Sequence, residues 1–500
     1  FKYLSIITTL SVFTALFSII FQGYLSSQNL TRITNVLKNL KNLENEYQIK
    51  PENRPKIAIG YGSCSDLFVR AVDFLNYTEN LREKLDNFQI DDINDEDEFL
   101  QSFTYYFQRG AASERFTKNR DFFRRLVNLA KKHKPSAPRW ELGGNAPVMG
   151  RRFYLEGAEV LLASKMSTKL RSHVPTDIKL TGDTIDDDDI HFILEYKTGD
   201  KFGPFTAPRA NRYILHSDHH NPFISALEEF QQTLNEFQPR LFVVSGLQML
   251  DNYPFEKNVR ENRLQKVQQQ IITLPKSTLT HFEMASIVEI ELLELLLKNV
   301  VPYSNSIGMN EQELDNLNQF LVSGKTTLVA DSNPRVATVL TQMRNIFKIL
   351  NNDFNLNSRT DNNRRPLTRL HVHTLAYQAI LVVRNSDWKY TKNAASKASL
   401  TAHRHVCSTN IINPDAAYLI LDDSFATSTN KVTENDENIP RRIELNDDDP
   451  VSCWNETISI DETFKYDVEI CVAPVLICKI AKQTAGAGDN ISSAGLILQI

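Results

Sequence analysis

Short apolar runs alternate with longer amphipathic stretches over most of the chain. Four of the apolar runs have the length and composition of buried strands: Lys56–Gly60, Leu241–Ser245, Thr327–Ala330 and Ala379–Val383. Apolar positions at helical spacing fill Ser286–Asn299 and Pro334–Leu350. Because short buried strands alternate with helices, the sequence predicts an α/β fold with a mostly parallel sheet.

The N-terminal region has a different pattern. The segment Tyr3–Tyr24 contains no charged residue, and it is flanked by Lys2 and Arg32. This pattern predicts that residues 1–25 are a secretory signal peptide or an uncleaved membrane anchor, with a buried core helix as the alternative. Residues 26–55 are polar and predict a stalk that leads into a folded region at 56–500.

Three polar segments interrupt the α/β pattern. The segment Asp186–Tyr213 lies between loops and predicts a lid or an inserted sheet. The acidic run Asp91–Glu98 lacks the glycine that a calcium-binding EF-hand loop needs at its sharp turn, so we expect a solvated loop. The segment Thr427–Pro450 predicts a surface loop.

Composition narrows the class of protein. The 500 residues are 41% hydrophobic and 23% charged, as expected of a folded globular chain. The formal net charge is -5, and no basic stripe with interleaved aromatic residues is present. These features argue against a nucleic-acid-binding protein.

Cysteines and glycosylation sequons bear on the compartment. The five cysteines are Cys64, Cys407, Cys453, Cys471 and Cys478. They form no C-x-x-C pair, which argues against a structural zinc site. A secretory leader would make one disulfide among the last four cysteines plausible, and sequons at Asn29, Asn76 and Asn455 fit the same route.

A glycine-rich segment near the C-terminus is the first candidate for chemistry. The segment Thr484–Gly495 follows the apolar run Val472–Ile480 and begins a helix. A helix N-terminus presents free N–H groups that bind phosphate. Asp489 lies at this position, where its carboxylate could accept a proton from an attacking hydroxyl or simply cap the helix.

Two further carboxylates are expected near the same place. Glu283 ends a strand-like segment, and Glu313 lies in the first turn of a helix after Gly308. The carboxyl ends of parallel strands form the ligand crevice of an open α/β sheet. Carboxylates there can hold Mg²⁺ beside phosphates, although either residue alone would be interpreted as a surface charge.

The motifs His281-x-Glu283, Asn310-x-x-Glu313 and Gly486-x-Gly-Asp489 resemble those of the ADP-dependent sugar kinases in the ribokinase superfamily. Seven further stretches resemble this family in the same order: Phe107–Phe116, Gly143–Ala146, Ile193–Tyr196, Ala210–Tyr213, Glu229–Leu247, Ser306–Leu314 and Leu367–Leu375. The resemblance extends from about Lys56 to the C-terminus. It implies a ribokinase-like three-layer α/β/α domain and a smaller discontinuous α+β lid from roughly 76–150 and 170–215.

The resemblance also implies a reaction, in which the β-phosphoryl group of ADP passes to the 6-hydroxyl of D-glucose. Asp489 would be the general base, and Arg212 would offset charge on the phosphates. The implied anion hole consists of Gly486, Ala487 and Gly488. The implied Mg²⁺ ligands, acting largely through water, are Glu283, Glu313 and Asp489.

Further contacts are implied by the same resemblance. The implied sugar-binding residues are Asp66, Gly143, Gly144, Asn145, Glu98 and His216, with His219 as an alternative to His216. The implied nucleotide-binding residues are Asn310, Arg369, His371, Val372 and His373. A disulfide between Cys407 and Cys478 is implied, whereas the state of Cys453 and Cys471 is left open.

Some features depart from the family pattern or offer alternatives. The loop Gly62-Ser-Cys64-Ser-Asp66 lacks the asparagine that archaeal members use before the aspartate. Ser323–Thr327 resembles the end of a Walker A loop, but Gln319 stands where its first glycine should be. The alternatives are an ATP-using kinase, a fructose-6-phosphate kinase and a non-catalytic luminal binding protein. We expect a monomer in the secretory pathway, with membrane association through the N-terminal segment as a further possibility.

Overall fold

The computed structural model describes residues 2–79, 81, 85, 93–133, 138–327, 329–331, 333–429 and 440–500. The strands in chain order are β1 (Lys56–Gly60), β2 (Cys64–Arg70), β3 (Ser113–Phe116), β4 (Arg139–Gly143), β5 (Glu159–Ala163), β6 (Lys179–Thr181), β7 (Ile190–Tyr196), β8 (Lys201–Phe202), β9 (Phe205–Thr206), β10 (Asn211–His216), β11 (Leu241–Val244), β12 (Leu279–Glu283), β13 (Ser306–Asn310), β14 (Arg369–His373), β15 (Tyr377–Val383), β16 (Ala417–Tyr418), β17 (Ser424–Ala426), β18 (Arg442–Glu444), β19 (Ser452–Ser459), β20 (Lys465–Pro474) and β21 (Ile477–Cys478). The α-helices are α1 (Lys2–Asn45), α2 (Ala71–Phe74), α3 (Glu96–Phe107), α4 (Arg120–Lys132), α5 (Asn145–Leu155), α6 (Thr168–Arg171), α7 (Leu227–Phe237), α8 (Val259–Ile272), α9 (Ile290–Asn299), α10 (Glu311–Ser323), α11 (Val336–Asn357), α12 (Thr391–Val406) and α13 (Ala487–Ile497).

The larger of the two main sheets has ten strands, in the order β19-β20-β15-β14-β13-β12-β11-β1-β5-β6. The strands from β14 to β6 run parallel, while β15, β20 and β19 add antiparallel strands at one edge. Strands β11 and β12 are buried along their whole length, and the continuous apolar sequence of β11 is typical of a strand that is covered on both faces. The predicted, mostly parallel α/β sheet is confirmed.

Helices cover both faces of this sheet because alternate strand residues point to opposite sides. Ala58 and Phe242 pack with residues of α7 to α11 on one face. Ile57 and Val243 pack with residues of α1, α5, α12 and α13 on the other. The result is the three-layer α/β/α arrangement expected from the sequence. The predicted strand Thr327–Ala330 is wrong, since Thr327, Val329 and Ala330 lie outside strands and Leu328 lies outside the described residues.

A second, five-stranded sheet has the order β3-β10-β7-β2-β4. Helices α3 and α4 cover one of its faces with an aromatic core that includes Phe99, Phe103 and Tyr213. The segment Asp186–Tyr213 contributes β7 and part of β10, as expected for an inserted sheet. Because β2 belongs to this sheet, the residues of the five-stranded sheet begin at Cys64. The sequence predicts that the lid begins later, at about residue 76.

The N-terminal region differs from its prediction. Residues 26–45 are not an extended stalk but the second half of α1, and Ile33, Val36, Leu37 and Leu40 are buried against the rest of the chain. Their spacing of three and four residues places them on one face of the helix. Within the described residues, the apolar content of each helix falls short of what crossing a membrane requires.

Polar contacts attach this helix to α12. Ser396 donates a 2.7 Å hydrogen bond to the carbonyl oxygen of Leu40, and Arg404 donates two hydrogen bonds of 2.6 and 2.8 Å to the Glu44 carboxylate. Burial raises the pKa of Glu44, but the charge and hydrogen bonds of Arg404 outweigh this effect and lower it. The apolar face and these pairs make residues 33–45 part of the folded domain.

Three smaller expectations concern loops. Asp95 caps α3 by accepting a hydrogen bond of 2.9 Å from the Glu98 N–H, while Asp91 and Asp92 lie outside the described residues. In the predicted surface loop Thr427–Pro450, residues 442–444 form β18, and residues 430–439 are not described. Gly324 ends α10 with φ of +69°, a conformation that favours glycine, so the Ser323–Thr327 segment is a helix terminus and not a phosphate-binding loop.

The cysteines form two pairs. The Sγ atoms of Cys407 and Cys478 are 1.96 Å apart, so this pair, which the family resemblance implies, forms a disulfide. Cys453 and Cys471 face each other across β19 and β20 with an Sγ–Sγ distance of 2.15 Å, which answers the question left open by the sequence. Cys64 is a free and buried cysteine.

Candidate active site

A cleft of about 710 Å³ lies between the two sheets. Glu283, Asn310 and His373 line it from the carboxyl ends of β12, β13 and β14. Asp66 and Arg212 line it from the smaller sheet. The cleft therefore occupies the position at which open parallel sheets bind ligands.

The glycine-rich segment forms one wall of the cleft. Gly486 precedes α13 with φ of +68°, so the N-terminal N–H groups of this helix are presented at the cleft. The structure excludes Asp489 as the N-cap, because Gly486 holds that position and Asp489 lies in the first turn of the helix. The carboxylate of Asp489 is therefore not used in capping the helix and can interact with a ligand in the cleft.

A chain of amide side chains orients Asp489. The Nδ2 of Asn145 donates a 2.9 Å hydrogen bond to Oδ1 of Asp489. The Oδ1 of Asn145 accepts a 2.6 Å hydrogen bond from Nε2 of Gln248. Because the Asp489 carboxylate only accepts hydrogen bonds, the NH2 group of Asn145 faces it, and the Asn145 carbonyl oxygen faces the Gln248 NH2 group.

The surroundings of Asp489 raise its pKa to about 7. Burial is the largest cause, and the negative charge of Glu283 adds to it. The hydrogen bond from Asn145 and the charge of Arg212 act in the opposite direction. A carboxyl whose pKa lies near neutral pH is well matched to accept a proton from a substrate hydroxyl.

Glu283 is buried at the end of β12, and both of its carboxylate oxygens accept hydrogen bonds. It accepts hydrogen bonds from Ser492 Oγ (2.5 Å), His281 Nε2 (2.8 Å) and His373 Nε2 (3.4 Å). Burial raises the pKa of Glu283, but the hydrogen bonds from His281 and His373 outweigh it and lower the pKa well below its usual value. Glu283 is therefore a fixed negative charge beside the cleft.

Glu313 lies in the first turn of α10, where it forms a capping box with Asn310. Its carboxylate accepts hydrogen bonds from the Asn310 N–H (2.8 Å) and from Asn310 Nδ2 (2.7 Å). Burial raises the pKa of Glu313 to about 8, and the charges of Glu283 and Glu311 contribute to the increase. Three carboxylates thus line the same part of the cleft, where a cation would relieve their repulsion.

The far end of the cleft, on the smaller sheet, combines acidic groups with a histidine. His191 Nε2 lies 3.2 Å from Asp218 Oδ2, and His191 Nδ1 lies 3.7 Å from Glu114 Oε1. Burial lowers the pKa of His191, but the carboxylates of Asp218, Glu114 and Asp66 outweigh it and raise the pKa to about 10. Burial raises the pKa of Asp66 to about 6. This end offers both donors and acceptors to a polar ligand.

The opposite end is less polar. Val475, Ile477 and Ile480 line it together with Ala402 and Val406 of α12. The Cys407–Cys478 disulfide joins the two segments that carry these residues. This end has the apolar lining expected of a slot for a flat ring system.

Most of the site residues expected from the sequence line the cleft: Asp66, Gly144, Asn145, Arg212, Glu283, Asn310, Glu313, His373, Gly486, Ala487, Gly488 and Asp489. Gly143 lies directly behind Asp66, where a Cβ atom would stand 2.0 Å from Asp66 Oδ1. These residues come from seven separate segments of the chain, and the fold brings them together.

Three of the expected nucleotide-binding residues are corrected by the structure. Arg369, His371 and Val372 are fully buried within β14 and do not line the cleft. Arg369 donates hydrogen bonds to Gln499 (2.6 Å) and Ser306 (3.1 Å) beneath the floor of the site. Only His373, at the carboxyl end of the strand, reaches the cleft from this segment.

Two expected sugar-binding residues are also corrected. His216 is buried with its Nδ1 3.1 Å from Asp218 Oδ1, behind the cleft wall. Glu98 accepts a hydrogen bond of 2.6 Å from the Asn94 N–H at the start of α3, and it does not line the cleft. The residues found at the cleft instead are Glu114 and His191.

Sequence reasoning missed Glu114, His191 and Gln248. Glu114 lies inside a stretch that resembles the family, and His191 lies beside one. The resemblance therefore pointed to these segments but not to the two residues themselves. Their side chains are identified only by the strand register, which places β3, β10, β7 and β2 side by side. Gln248 directly follows the resembling stretch Glu229–Leu247, but no motif in the sequence singled it out.

Comparisons with known proteins agree with this geometry. Residues 55–498 match a family described as the ADP-specific phosphofructokinase/glucokinase conserved region. An ADP-dependent glucokinase from Bos taurus is 29% identical over 453 residues, which cover 90% of this chain and 85% of the relative. A probable ADP-dependent glucokinase from Caenorhabditis elegans is 28% identical over 451 residues, covering 88% and 84%. Among solved structures, a hypothetical ADP-dependent phosphofructokinase from Pyrococcus horikoshii has a TM-score of 0.52 at 16% identity, covering 90% of this chain and 98% of that one, which supports the fold.

Proposed function

Since this chain belongs to the ADP-specific phosphofructokinase/glucokinase family, we propose that it transfers the β-phosphoryl group of ADP to the 6-hydroxyl of D-glucose. The products are glucose 6-phosphate and AMP. The observation that carries the proposal is the placement of Asp489, with its pKa raised to about 7, directly beside the N-terminus of α13. The two similar animal proteins support the choice of ADP and glucose, since both bear the name of an ADP-dependent glucokinase.

In the proposed mechanism Asp489 is the general base. One oxygen of the Asp489 carboxylate accepts a hydrogen bond from the Asn145 amide. The other oxygen can accept the proton of the 6-hydroxyl. The proton moves from this hydroxyl to Asp489 as the sugar oxygen attacks the phosphorus. The bridging oxygen of the departing AMP takes up the charge that is released. Positioning and electrostatic stabilisation account for most of the rate in reactions of this type.

The chain supplies positive charge and N–H groups for the transferring phosphoryl group. The N–H groups from Gly486 to Asp489 point from the helix N-terminus into the cleft. Within the described residues, the buried Nε of Arg212 has no hydrogen-bond partner, although its Nη1 donates to Asn211. A buried guanidinium N–H without a partner favours an anionic ligand in the cleft, as expected of a phosphate.

The donor set also fits the magnesium ion that the sequence predicts. Glu283 and Glu313 line the cleft on the phosphate side, and the pKa of Glu313 is raised partly by the nearby Glu283 charge. Oxygen ligands and clustered negative charge are what Mg²⁺ prefers. When bound, Mg²⁺ would neutralise charge on the phosphates; Glu283 and Glu313, with Asp489, would hold it largely through water.

Asp66, Glu114 and His191 are proposed to bind the sugar hydroxyls. All three line the cleft from the smaller sheet. Asn145 and Asp489 line the same cleft. Glu114 takes the role that the sequence gave to Glu98. Because carboxylates dominate this end, it disfavours the phosphate group of fructose 6-phosphate, which would require lysine or arginine. The observation therefore supports glucose over that alternative.

A glycine at position 143 is required for this arrangement. A Cβ on Gly143 would come within 2.0 Å of Asp66 Oδ1, so Gly143→Ala should displace the Asp66 carboxylate. We expect kcat/KM for glucose to fall by about 100-fold, because a displacement of about 1 Å can cost that much. Steady-state kinetics with varied glucose measures the loss.

Gly150→Ala is the matched control for this substitution. A Cβ at Gly150 would meet Ile59 at 3.5 Å, an ordinary contact, and Gly150 lies in α5. Alanine is favoured over glycine within a helix, so this variant should retain its activity and its stability. Equal kinetics for Gly143→Ala and the parent chain would show that Asp66 does not bind the sugar.

We also propose that the chain works in the secretory pathway. Two cysteine pairs at disulfide distance and the apolar N-terminal segment support this location. Asn490, whose triplet also matches a glycosylation sequon, is buried and donates to the Gly486 carbonyl oxygen (2.8 Å), which is consistent with an unmodified catalytic loop.

The proposed function is tested by supplying the full chain with Mg²⁺, glucose and either ADP or ATP, and by identifying the nucleotide product. We expect AMP from ADP and little use of ATP. Fructose 6-phosphate replaces glucose in a parallel assay, where we expect little turnover. Turnover with ATP alone would assign the chain to an ATP-using kinase, and no turnover with any pair would favour a non-catalytic binding protein.

A further inference from the structure

A second group of ligating side chains lies at the sugar end of the cleft, away from Glu283 and Glu313. One ligand atom from each of Cys64, Asp66 and His191 lies within 4.8 Å of the other two. The thiol of Cys64 already donates to Asp66 Oδ1 at 3.1 Å, so the two side chains face each other. The group combines one sulfur, one oxygen and one nitrogen.

The chemistry of this group selects a particular class of cation. Thiolate and imidazole ligands favour Zn²⁺, whereas Mg²⁺ favours oxygen ligands in octahedral geometry. Zn²⁺ binds at about 2.3 Å from sulfur and about 2.0 Å from nitrogen or oxygen, so side-chain shifts on the order of 1 Å would close the group around it. Three protein ligands leave a fourth tetrahedral position open.

Access and local charge agree with this choice. Asp66 and His191 line the cleft, so the fourth position can face solvent or a ligand. Glu114, Asp66 and Asp218 place three carboxylates around His191. Their negative charge favours a divalent cation, which would displace the proton that they hold on the His191 imidazole.

A neighbouring group offers an alternative that the structure disfavours. His191, His216 and Asp218 also lie within 4.8 Å of one another, but all three are buried. Asn221 Nδ2 donates to Asp218 Oδ2 at 2.7 Å, and His191 Nε2 lies 3.2 Å from the same oxygen. The hydrogen bond from Asn221 occupies Asp218 Oδ2, and neither His216 nor Asp218 lines the cleft.

We propose that Cys64, Asp66 and His191 form a binding site for Zn²⁺ at the sugar end of the cleft, and that a bound Zn²⁺ excludes the sugar. The metal site stands on the geometry of these three residues. The exclusion of sugar rests on the proposed function, which assigns Asp66 and His191 to the sugar hydroxyls. Zn²⁺ would therefore inhibit the kinase competitively with glucose.

The metal site is tested by calorimetric titration of the full chain with Zn²⁺, with Mg²⁺ in excess to occupy the carboxylates on the phosphate side. A second titration uses Co²⁺, because a cobalt–thiolate bond adds a charge-transfer absorption in the near ultraviolet. The other four cysteines are paired, so this absorption reports on Cys64. We expect binding with the absorption present.

Cys64→Ser is the decisive variant, because serine can still donate to Asp66. We expect it to lose the cobalt absorption and to weaken Zn²⁺ binding by about 100-fold or more. Asp66→Asn removes a different ligand and should weaken Zn²⁺ binding as well, which keeps the test open if one variant fails to fold. Unchanged Zn²⁺ affinity in a folded Cys64→Ser or Asp66→Asn variant would overturn the site.

Asp218→Asn distinguishes the neighbouring group. The proposed site predicts that this variant keeps the cobalt absorption and loses less Zn²⁺ affinity than Cys64→Ser, because Asp218 only orients His191. Loss of Zn²⁺ in Asp218→Asn together with its retention in Cys64→Ser would place the metal in the deeper group and refute the proposal. Absence of Zn²⁺ binding to the parent chain would refute it as well.

Competition with glucose separates this inference from the proposed function. Saturating glucose should raise the apparent Zn²⁺ dissociation constant, and it should abolish the cobalt absorption. If glucose is turned over but does not change Zn²⁺ affinity, the exclusion is wrong. If Cys64-dependent metal binding is found but glucose is not turned over with ADP or ATP, the proposed function fails while the metal site stands.

Discussion

Replacing Asp489 with asparagine should lower the turnover number for glucose phosphorylation by at least about 1,000-fold, within the range that general bases contribute. The amide cannot accept the hydroxyl proton, yet it retains the shape of the carboxylate and can still meet Asn145. The nucleotide should still bind, because the apolar end of the cleft and the helix N-terminus are unchanged. Rapid-quench or steady-state assays with ADP and glucose measure turnover, and calorimetry measures ADP binding.

Glu462→Gln is a suitable control for the loss of one carboxylate, since Glu462 is exposed in the turn between β19 and β20 at the edge of the large sheet. It should have normal kinetics. Substantial turnover by Asp489→Asn would show that Asp489 is not the base. Loss of ADP binding in the same variant would show that its carboxylate holds the nucleotide site together instead.

Deleting residues 1–45 should destabilise the protein severely, whereas deleting residues 1–25 should not. Ile33, Val36, Leu37 and Leu40 are buried in the shorter part of α1 that the second deletion retains. Burial of four such side chains is worth roughly 6–12 kcal/mol at about 1.5–3 kcal/mol each. That sum is comparable to the whole free energy of unfolding of a typical domain, about 5–15 kcal/mol. Thermal unfolding of the two chains checks the prediction.

Point substitutions within α1 provide a matched pair for this experiment. Val36 is fully buried, so Val36→Asp should lower the free energy of unfolding by about 3–5 kcal/mol, because the carboxylate would be buried without a partner. Leu30, on the same helix, is 39% exposed, and Leu30→Asp should change stability little. Equal stability of the two variants would mean that α1 does not pack on the folded domain in solution.

The deletion also bears on the active site. Helix α12 meets α1 through Ser396 and Arg404, and it lines the cleft with Ala402 and Val406. A chain without α1 that still folds should therefore have a weaker nucleotide site, seen as a higher KM for ADP. An unchanged KM would show that α12 keeps its position without this support.

Several site residues could be predicted from local pattern alone. Glu283 ends a strand-like segment and Glu313 opens a helix after Gly308, and the carboxyl ends of parallel strands meet at one edge of a sheet. Two glycines before a helix mark the anion site, so Asp489 could be placed at its mouth. In each case a few consecutive residues determine the backbone geometry, and the sheet topology then brings the sites together.

Other contacts could not be predicted, because they join segments that are distant in the chain. The hydrogen bond between Asn145 and Asp489 links α5 to α13. Glu114 and His191 meet because β10 lies between β3 and β7. An i, i+2 pattern shows which residues of a strand share a face, but it does not show which face meets the cleft. Arg369 and His371 illustrate this, since they share a face with His373 yet lie beneath the floor of the site.

By itself, the sequence indicated the α/β class, three strands of the large sheet, the family and the glycine-rich loop that carries Asp489. Hydrophobic period, turn residues and short motifs act over a few neighbouring residues, so these features need no knowledge of the fold. Only the tertiary structure decided that residues 33–45 belong to the core, that Glu114 and His191 line the cleft in place of Glu98 and His216, and that His191 lies beside Cys64 and Asp66. Those outcomes depend on which distant segments pack together, and that is settled by burial of apolar surface over the whole chain.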